Sequence, residues 1–410
     1  MILLSHPTGN ENVRQVARAL ADAGLLEEFW TSINWDPNSP INRYLPRGLR
    51  ELFGRRAFPE NVRERTRSRP FRESARLLLP PSSLLMRHEK GWLSVDAVLR
   101  AHDCAVARRM EKGSFRAVYA YEDCAMETFA IAKALGIRTI YDLPIGYFRA
   151  AQQIFAEERE REPDWASTLI GARDSGEKLA RKEKELELAD CVAVASTFTA
   201  QTLRGAPVQP RVEIIPYGAP PPVTGEIGLH TGKLRILFAG SLGQRKGLSY
   251  ALRAIEIFGE GRCEFTLLGR KVGGVCPALD HALRRHRWLP SLPHAEVLRT
   301  MRESDVVVFP SLFEGFGLVI TEAMSQGTPV ITTPHTAGPD IILDGVDGFL
   351  VPIRSAEAIA EKLETLDRER ELLRAMKVAA REKAASRTWE KYRERLIALA
   401  REVVGIRIAI

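Results

Sequence analysis

Short apolar runs alternate along the chain with segments whose apolar residues recur every three or four positions. This is how a chain builds parallel strands and covers them with helices. Residues 2–4, 117–120, 138–141, 189–195, 234–239, 265–268 and 306–309 read as strands. The last of these, Val306, Val307, Val308 and Phe309, is continuously apolar, which suits a strand buried on both faces. Helical spacing marks 13–21, closed by Gly24, then a helix running through Met110, and 124–135 and 295–302. In the final helix, 388–403, Trp389, Tyr392, Leu396, Ile397 and Ala400 form one face that must be buried. Residues 149–161 and 175–188 are helical but densely charged, and their interleaved Glu, Lys and Arg predict solvated faces.

Two stretches break this rhythm. Residues 36–81 hold many prolines and arginines with little period, and predict an excursion from the sheet, part helical near 49–53 and 75–79. Residues 212–225 carry three consecutive prolines and two glycines and read as a linker. The predicted fold class is α/β, with two doubly wound, Rossmann-like halves. The first spans 1–215 and includes a basic insert at about 36–90; the second spans 216–386; the last helix occupies 387–410.

A chain of 410 residues, 45% hydrophobic and 27% charged, can bury such a core. No apolar run approaches the roughly 20 residues that span a bilayer, and the start turns polar after four apolar residues, so a first strand is expected there and not a signal peptide. The cysteines, Cys104, Cys124, Cys191, Cys263 and Cys276, are scattered and odd in number, which predicts reduced thiols and a cytoplasmic protein. No spacing argues for a structural metal. The net charge of +7 is unevenly placed, with twelve arginines against four glutamates between residues 43 and 87. Without a nucleic-acid motif or a stacking platform, no nucleic acid is expected there. A solvated basic face, a negatively charged acceptor and an anionic membrane surface, which would make the protein peripheral, all fit that stretch.

The chemistry concentrates in residues 305–338. After the strand, Gly315 and Gly317 allow a ligand close to the backbone, and a helix starting near Leu318 offers unpaired N–H groups to an anion, most simply phosphate. Glu314 and Glu322 frame the turn, Glu322 roughly 7–8 Å along the helix axis from its start. A nucleotide sugar needs such a layout, with its diphosphate on the helix terminus and a carboxylate for hydroxyl groups on either side. A second strand, glycine turn and helix follow Leu234, with Gly240 in the turn and Arg245 and Lys246 at the helix entrance. Near the amino terminus, the loop after the first strand offers His6, Asn10 and Asn12 to an acceptor or a phosphate, with simple capping of the next helix as the alternative. This loop lacks G-x-G-x-x-G, which removes the main support for a nicotinamide or flavin cofactor.

The pattern S-x2-EGFG-x4-E-A-x3-G-x-PV over Ser311 to Val330, with G-x-L-x3-KG over Gly240 to Gly247, resembles the signature of the retaining glycosyltransferases of the GT4 family. The resemblance is specific over residues 230–400 and covers the first half in outline. It implies a GT-B fold: two Rossmann-like domains facing across a cleft, with the last helix crossing back to the first. It further implies transfer of a sugar from a nucleotide-sugar donor, UDP-linked before GDP-linked, to a glycan, lipid-linked or small-molecule acceptor, with neither cofactor nor metal. By position, Lys246 and Arg245 would meet the diphosphate, Glu314 the donor-sugar hydroxyls and Glu322 the ribose. The amides of Gly315, Phe316, Gly317 and Leu318 would lie near sugar and phosphate, and Trp288 and Leu289 near the base. Many relatives carry a histidine after the strand ending near residue 120. This chain has Tyr121, Glu122 and Asp123, so Glu122 or Asp123 becomes the candidate base or acceptor ligand. Two other readings share the architecture: a subunit that binds a nucleotide or a partner without turnover, and a sugar-nucleotide epimerase or phosphorylase.

Overall fold

A computed structural model describes residues 1–406 apart from 55, 81–82, 173, 227 and 229–230, so parts of the basic insert and the end of the 387–410 segment lie outside the described residues. Two parallel sheets organise the chain. The first contains β1 (Ile2–Ser5), β2 (Leu26–Thr31), β3 (Thr66–Ser68), β4 (Ala117–Tyr121), β5 (Arg138–Leu143), β6 (Cys191–Val194) and β7 (Arg211–Ile214), in the order β3-β2-β1-β4-β5-β6-β7. The second contains β8 (Leu234–Ala239), β9 (Cys263–Leu268), β10 (Arg287–Leu289), β11 (Val306–Phe309), β12 (Val330–Thr332) and β13 (Gly348–Leu350), in the order β10-β9-β8-β11-β12-β13. In each sheet the order reverses beside the first strand, and a doubly wound sheet opens its ligand crevice at the carboxyl ends of the strands at that point.

Three elements escape the apolar pattern for identifiable reasons. Strand β2, LEEFWT, hides behind its glutamates: Glu28 is buried, held by Arg109 at 2.8 Å and by the Trp30 indole N–H at 2.9 Å. Strands β3 and β7 lie at the sheet edges, where a half-exposed strand needs few apolar residues. Strand β3 therefore brings residues predicted as an excursion back into the sheet. Residues 287–289 pair with β9 as an edge strand.

The charged helices keep solvated faces, with Arg149, Glu160, Glu177 and Lys184 exposed, but each also buries charge. In the helix Phe148–Arg161, Glu158 is fully buried and accepts hydrogen bonds from Gln244 Nε2 (2.7 Å) and Arg354 Nε (2.8 Å), both in the second half. Glu157 takes Arg354 Nη1 at 2.8 Å, Glu162 takes Arg253 at 2.8 Å, and Trp165 joins the apolar core of the second half. This segment clamps the two sheets together.

The final helix, Trp389–Val403, crosses back as expected. Thr388 caps it, and it buries Tyr392, Leu396, Leu399 and Ala400 against the helix Glu11–Asp22. Arg393 donates to Gln15 (2.7 Å) and Arg211 to Glu402 (2.8 Å). Among the described residues, no helix is long and apolar enough to cross a membrane.

Candidate active site

The turn after β11 is built by two glycines with different tasks. Gly317 caps the helix Leu318–Ser325 at φ 86°, a left-handed conformation that costs glycine little. At Gly315, a Cβ would fall 1.8 Å from the Pro144 carbonyl oxygen of the first half. The backbone of the first half fills the side of Gly315 where a Cβ would stand, so packing between the two halves itself requires glycine here. The Ser196 and Thr199 hydroxyls both donate to the Gly315 carbonyl, at 2.5 and 2.9 Å. No acceptor among the described residues takes the amides of Phe316, Gly317 and Leu318, so the helix terminus keeps the donors an anion requires.

Lys246 and Arg245 meet this turn. The Lys246 ammonium lies directly against the Glu314 carboxylate and 4.7 Å from the centre of the Phe309 ring, beside Gly240. Arg245 reaches Glu314 Oε2 at 3.2 Å and the Phe313 carbonyl at 2.9 Å. Burial, aided by the charge of Arg245, pushes the Lys246 pKa well down, and burial lowers that of Arg245. The touching carboxylate opposes this, and at contact distance it keeps Lys246 an ammonium, because an uncompensated buried charge costs several kcal/mol. Glu314 thus sets one negative charge against the buried Lys246 and the half-buried Arg245, and the site keeps a net positive charge.

Glu322 lies on the same helix, and its Oε1 is 2.9 Å from His294 Nε2, a partner that sequence spacing did not disclose. That hydrogen bond raises the His294 pKa. Trp288 and Leu289 sit in edge strand β10: the indole N–H donates to the Gly269 carbonyl at 2.9 Å, and the Leu289 carbonyl accepts from the Gly269 amide at 2.9 Å.

Across from this cluster, a cavity of about 280 Å³ brings Glu122 and Arg245 together, lined also by Phe313, Phe148, Asp174 and Lys182. Glu122 follows β4, and its Oε1 is 3.3 Å from Lys182 Nζ. Burial pushes its pKa up to about 7 despite Lys182, whose own pKa the surrounding carboxylates raise. Asp123, at φ 72°, turns away to Lys182 (3.6 Å) and Lys178 (3.8 Å). Glu185 lies beneath, fully buried, and accepts from the Asp123 and Ala125 amides at 2.9 and 3.0 Å. Lys178, Lys182 and Glu185 all belong to the helix Gly176–Glu187. Their i, i+4, i+7 spacing was the available signal, since those positions share one helix face.

The amino-terminal loop divides. His6 turns inward: the Thr8 amide donates to its Nδ1 at 3.0 Å, its ring meets Tyr121 edge-on at 4.5 Å, and burial lowers its pKa to about 4. Asn12 is buried and donates to the Tyr217 hydroxyl at 3.2 Å. Asn10 precedes the helix Glu11–Asp22 without capping it through its side chain, and is exposed. Elsewhere, His88, Glu89 and Asp174 bring ligand atoms within 4.8 Å of one another, but Glu89 accepts from the Ser175 amide (2.8 Å) and Asp174 from Lys178 (3.0 Å).

Two parallel sheets facing across a cleft, with a phosphate-type turn on one side and a carboxylate on the other, define the GT-B architecture. Sucrose-phosphate synthase from Thermosynechococcus elongatus shares it over 99% of both chains, with a TM-score of 0.69 at 20% identity. The Anabaena protein HepE, solved with UDP and glucose, shares it over 97% of this chain and 98% of its own, with a TM-score of 0.61 at 14% identity. Residues 224–383, which hold both glycine turns, match the family model described as glycosyl transferases group 1. D-inositol 3-phosphate glycosyltransferase of Corynebacterium diphtheriae is 32% identical over 182 residues, which are 42% of each chain. Sucrose synthase of Acidithiobacillus caldus is 42% identical over 101 residues, 23% of this chain and 13% of that one. The chain thus spans less than half the length of these curated relatives.

Proposed function

We propose that the protein is a retaining glycosyltransferase of the GT4 type, moving a sugar from a nucleotide sugar to an acceptor held by the first half. The observation that carries this reading is the meeting of Arg245 and Lys246 on Glu314, with Arg245 lining one cavity together with Glu122. A donor diphosphate on the two cations and the free amides would take over the neutralising role of Glu314. The carboxylate would then be released to accept hydrogen bonds from the sugar. In the reaction the acceptor oxygen bonds to the anomeric carbon as the bond from that carbon to the diphosphate breaks. Negative charge grows on the leaving oxygen, where preorganised cations and amides act most strongly. The acceptor proton passes to the leaving diphosphate or to Glu122, whose raised pKa of about 7 suits a base at neutral pH. Glu322, once it leaves His294, accepts from the ribose.

UDP is favoured over GDP as the nucleotide, because the Anabaena neighbour was solved with UDP. Five unpaired cysteines support a reducing, cytoplasmic setting. Calorimetric titration of UDP and GDP sugars into wild type and Lys246→Ala tests the reading: wild type binds one class and the variant loses it. Equal, undetectable binding in both would remove it. The departure at Tyr121 and Glu122 favours one second reading, a subunit that binds a nucleotide without turnover. Donor hydrolysis or transfer that vanishes in Glu314→Ala would argue against that subunit, and product identification would separate epimerase or phosphorylase action.

A further inference from the structure

One surface of the first half exposes large apolar side chains in a group: Phe71 (72% exposed), Leu78 (58%), Leu84 (85%), Leu85 (47%) and Trp92 (50%). They form one patch. Phe71 and Leu78 are seven residues apart on the helix Phe71–Leu78 and so share a face. The Phe71 ring meets that of Trp92 at 6.1 Å, and the Leu93 amide donates to the Leu85 carbonyl at 2.8 Å, which brings the Leu84–Met86 turn beside Trp92. Cations fringe the patch. Arg72 lies over the Trp92 ring at 4.9 Å, and Arg69, Arg87 and Lys90 are exposed around it.

Behind Phe71 opens a cavity of about 350 Å³, between that helix and the helix Val95–Met110, lined by Arg69, Arg72, Arg108, His102 and Ser32. Three other arginines of the basic insert have carboxylate partners: Arg56 and Arg76 on Glu73, and Arg63 on Asp36. Among the described residues, Arg69, Arg72 and Arg108 have no carboxylate partner. His102 is uncharged, since burial lowers its pKa to about 3, so the charge of the cavity comes from guanidinium groups. Guanidinium forks match phosphate oxygens in pairs. An exposed apolar patch rimmed by polar groups marks an interaction surface. Apolar side chains fringed by arginine and lysine suit the boundary of an anionic bilayer, where the cations meet the headgroups and the rings enter the acyl boundary.

We propose that this face docks on an anionic lipid bilayer and that the arginine cavity takes the phosphate of a lipid headgroup. Combined with the glycosyltransferase reading, on which this last step rests, it makes the acceptor a phosphate-bearing lipid.

Vesicle flotation of the full chain tests the docking. Liposomes of phosphatidylcholine alone are compared with liposomes about one-third phosphatidylglycerol, at low and high salt. The protein floats with the anionic vesicles, less at high salt, and stays behind with the neutral ones. Phe71→Ser combined with Trp92→Ser lowers the bound fraction on the order of tenfold. Arg69→Gln with Arg108→Gln lowers it severalfold and flattens the salt dependence. Arg72 is left alone because it also donates to the Ala97 carbonyl. Unchanged melting and donor titration show that the variants fold. Flotation indifferent to lipid charge or to these substitutions overturns the proposal. So does inorganic phosphate binding that needs the arginines while nothing floats, which would assign the cavity to a soluble phosphate. A dimer lost in Phe71→Ser with Trp92→Ser, again without flotation, would assign the patch to a second copy. Donor binding without flotation sinks the docking alone, and flotation without donor binding sinks the glycosyltransferase reading alone.

Discussion

Two turns face each other across the cleft, each after a fully buried parallel strand and each bearing carboxylates. Glu314 follows β11, and Glu122 follows β4. They differ in where their countercharges come from. Glu314 is met by Lys246 and Arg245, which sit on another glycine turn of the same sheet. Glu122 is met by Lys182, from a helix whose remaining charges disguise it as surface. A site made of strand ends within one sheet leaves a compact signature, because every group must sit at a fixed offset from a glycine turn. A site completed by a distant helix leaves only a periodicity.

The largest effect should come from the clamp that holds the two turns at working distance. Arg354→Ala strips Glu158 of its charge partner while the carboxylate stays buried, and about 3–5 kcal/mol of stability should be lost, read as a lower denaturation midpoint. Retention of wild-type stability would show that the halves hold together without it. Next is Lys246→Gln, expected to slow turnover about 10²–10³-fold, as removal of one charge-stabilising donor does. Glu122→Gln should cost on the order of 10² in kcat with donor KM unchanged. The wild-type rate should fall as pH drops below about 7, where the carboxylate becomes protonated, and the variant should lose that limb. A matching fall in Asp123→Asn alone would move the base to the neighbour. The smallest effect concerns His294. Because the bond to Glu322 raises its pKa, donor affinity should weaken as pH falls through that raised value and the imidazolium holds the carboxylate. His294→Ala should remove the dependence and shift affinity roughly twofold to fivefold by calorimetry.

Much of the fold was legible because buried parallel strands must be apolar: β1, β8 and β11 stand out in the chain for that reason. The helix from Leu318 and its glycine start were legible because the backbone geometry admits few alternatives there. Strand β2 was not, since its buried Glu28 is affordable only with Arg109, 81 residues away. The burial of Glu158 and Glu185 was hidden for the same reason: local charge pattern records which residues a helix carries, and only tertiary contact decides which of them lose water. Gly315 was noticeable for its missing side chain, but its neighbour Pro144 lies far away in the chain and no local pattern could disclose it.

The aromatic cluster at the crossover carries a practical consequence. The Phe316 ring, inside the glycine turn after β11, lies 5.1 Å from Tyr217, which stacks on Trp389 at 5.8 Å, and Trp389 meets Tyr392 at 5.4 Å. An indole so placed is a built-in fluorophore whose surroundings change whenever Phe316 shifts. A ligand that moves Phe316 should therefore change the emission lost in Trp389→Phe, an optical readout with no label attached to the protein.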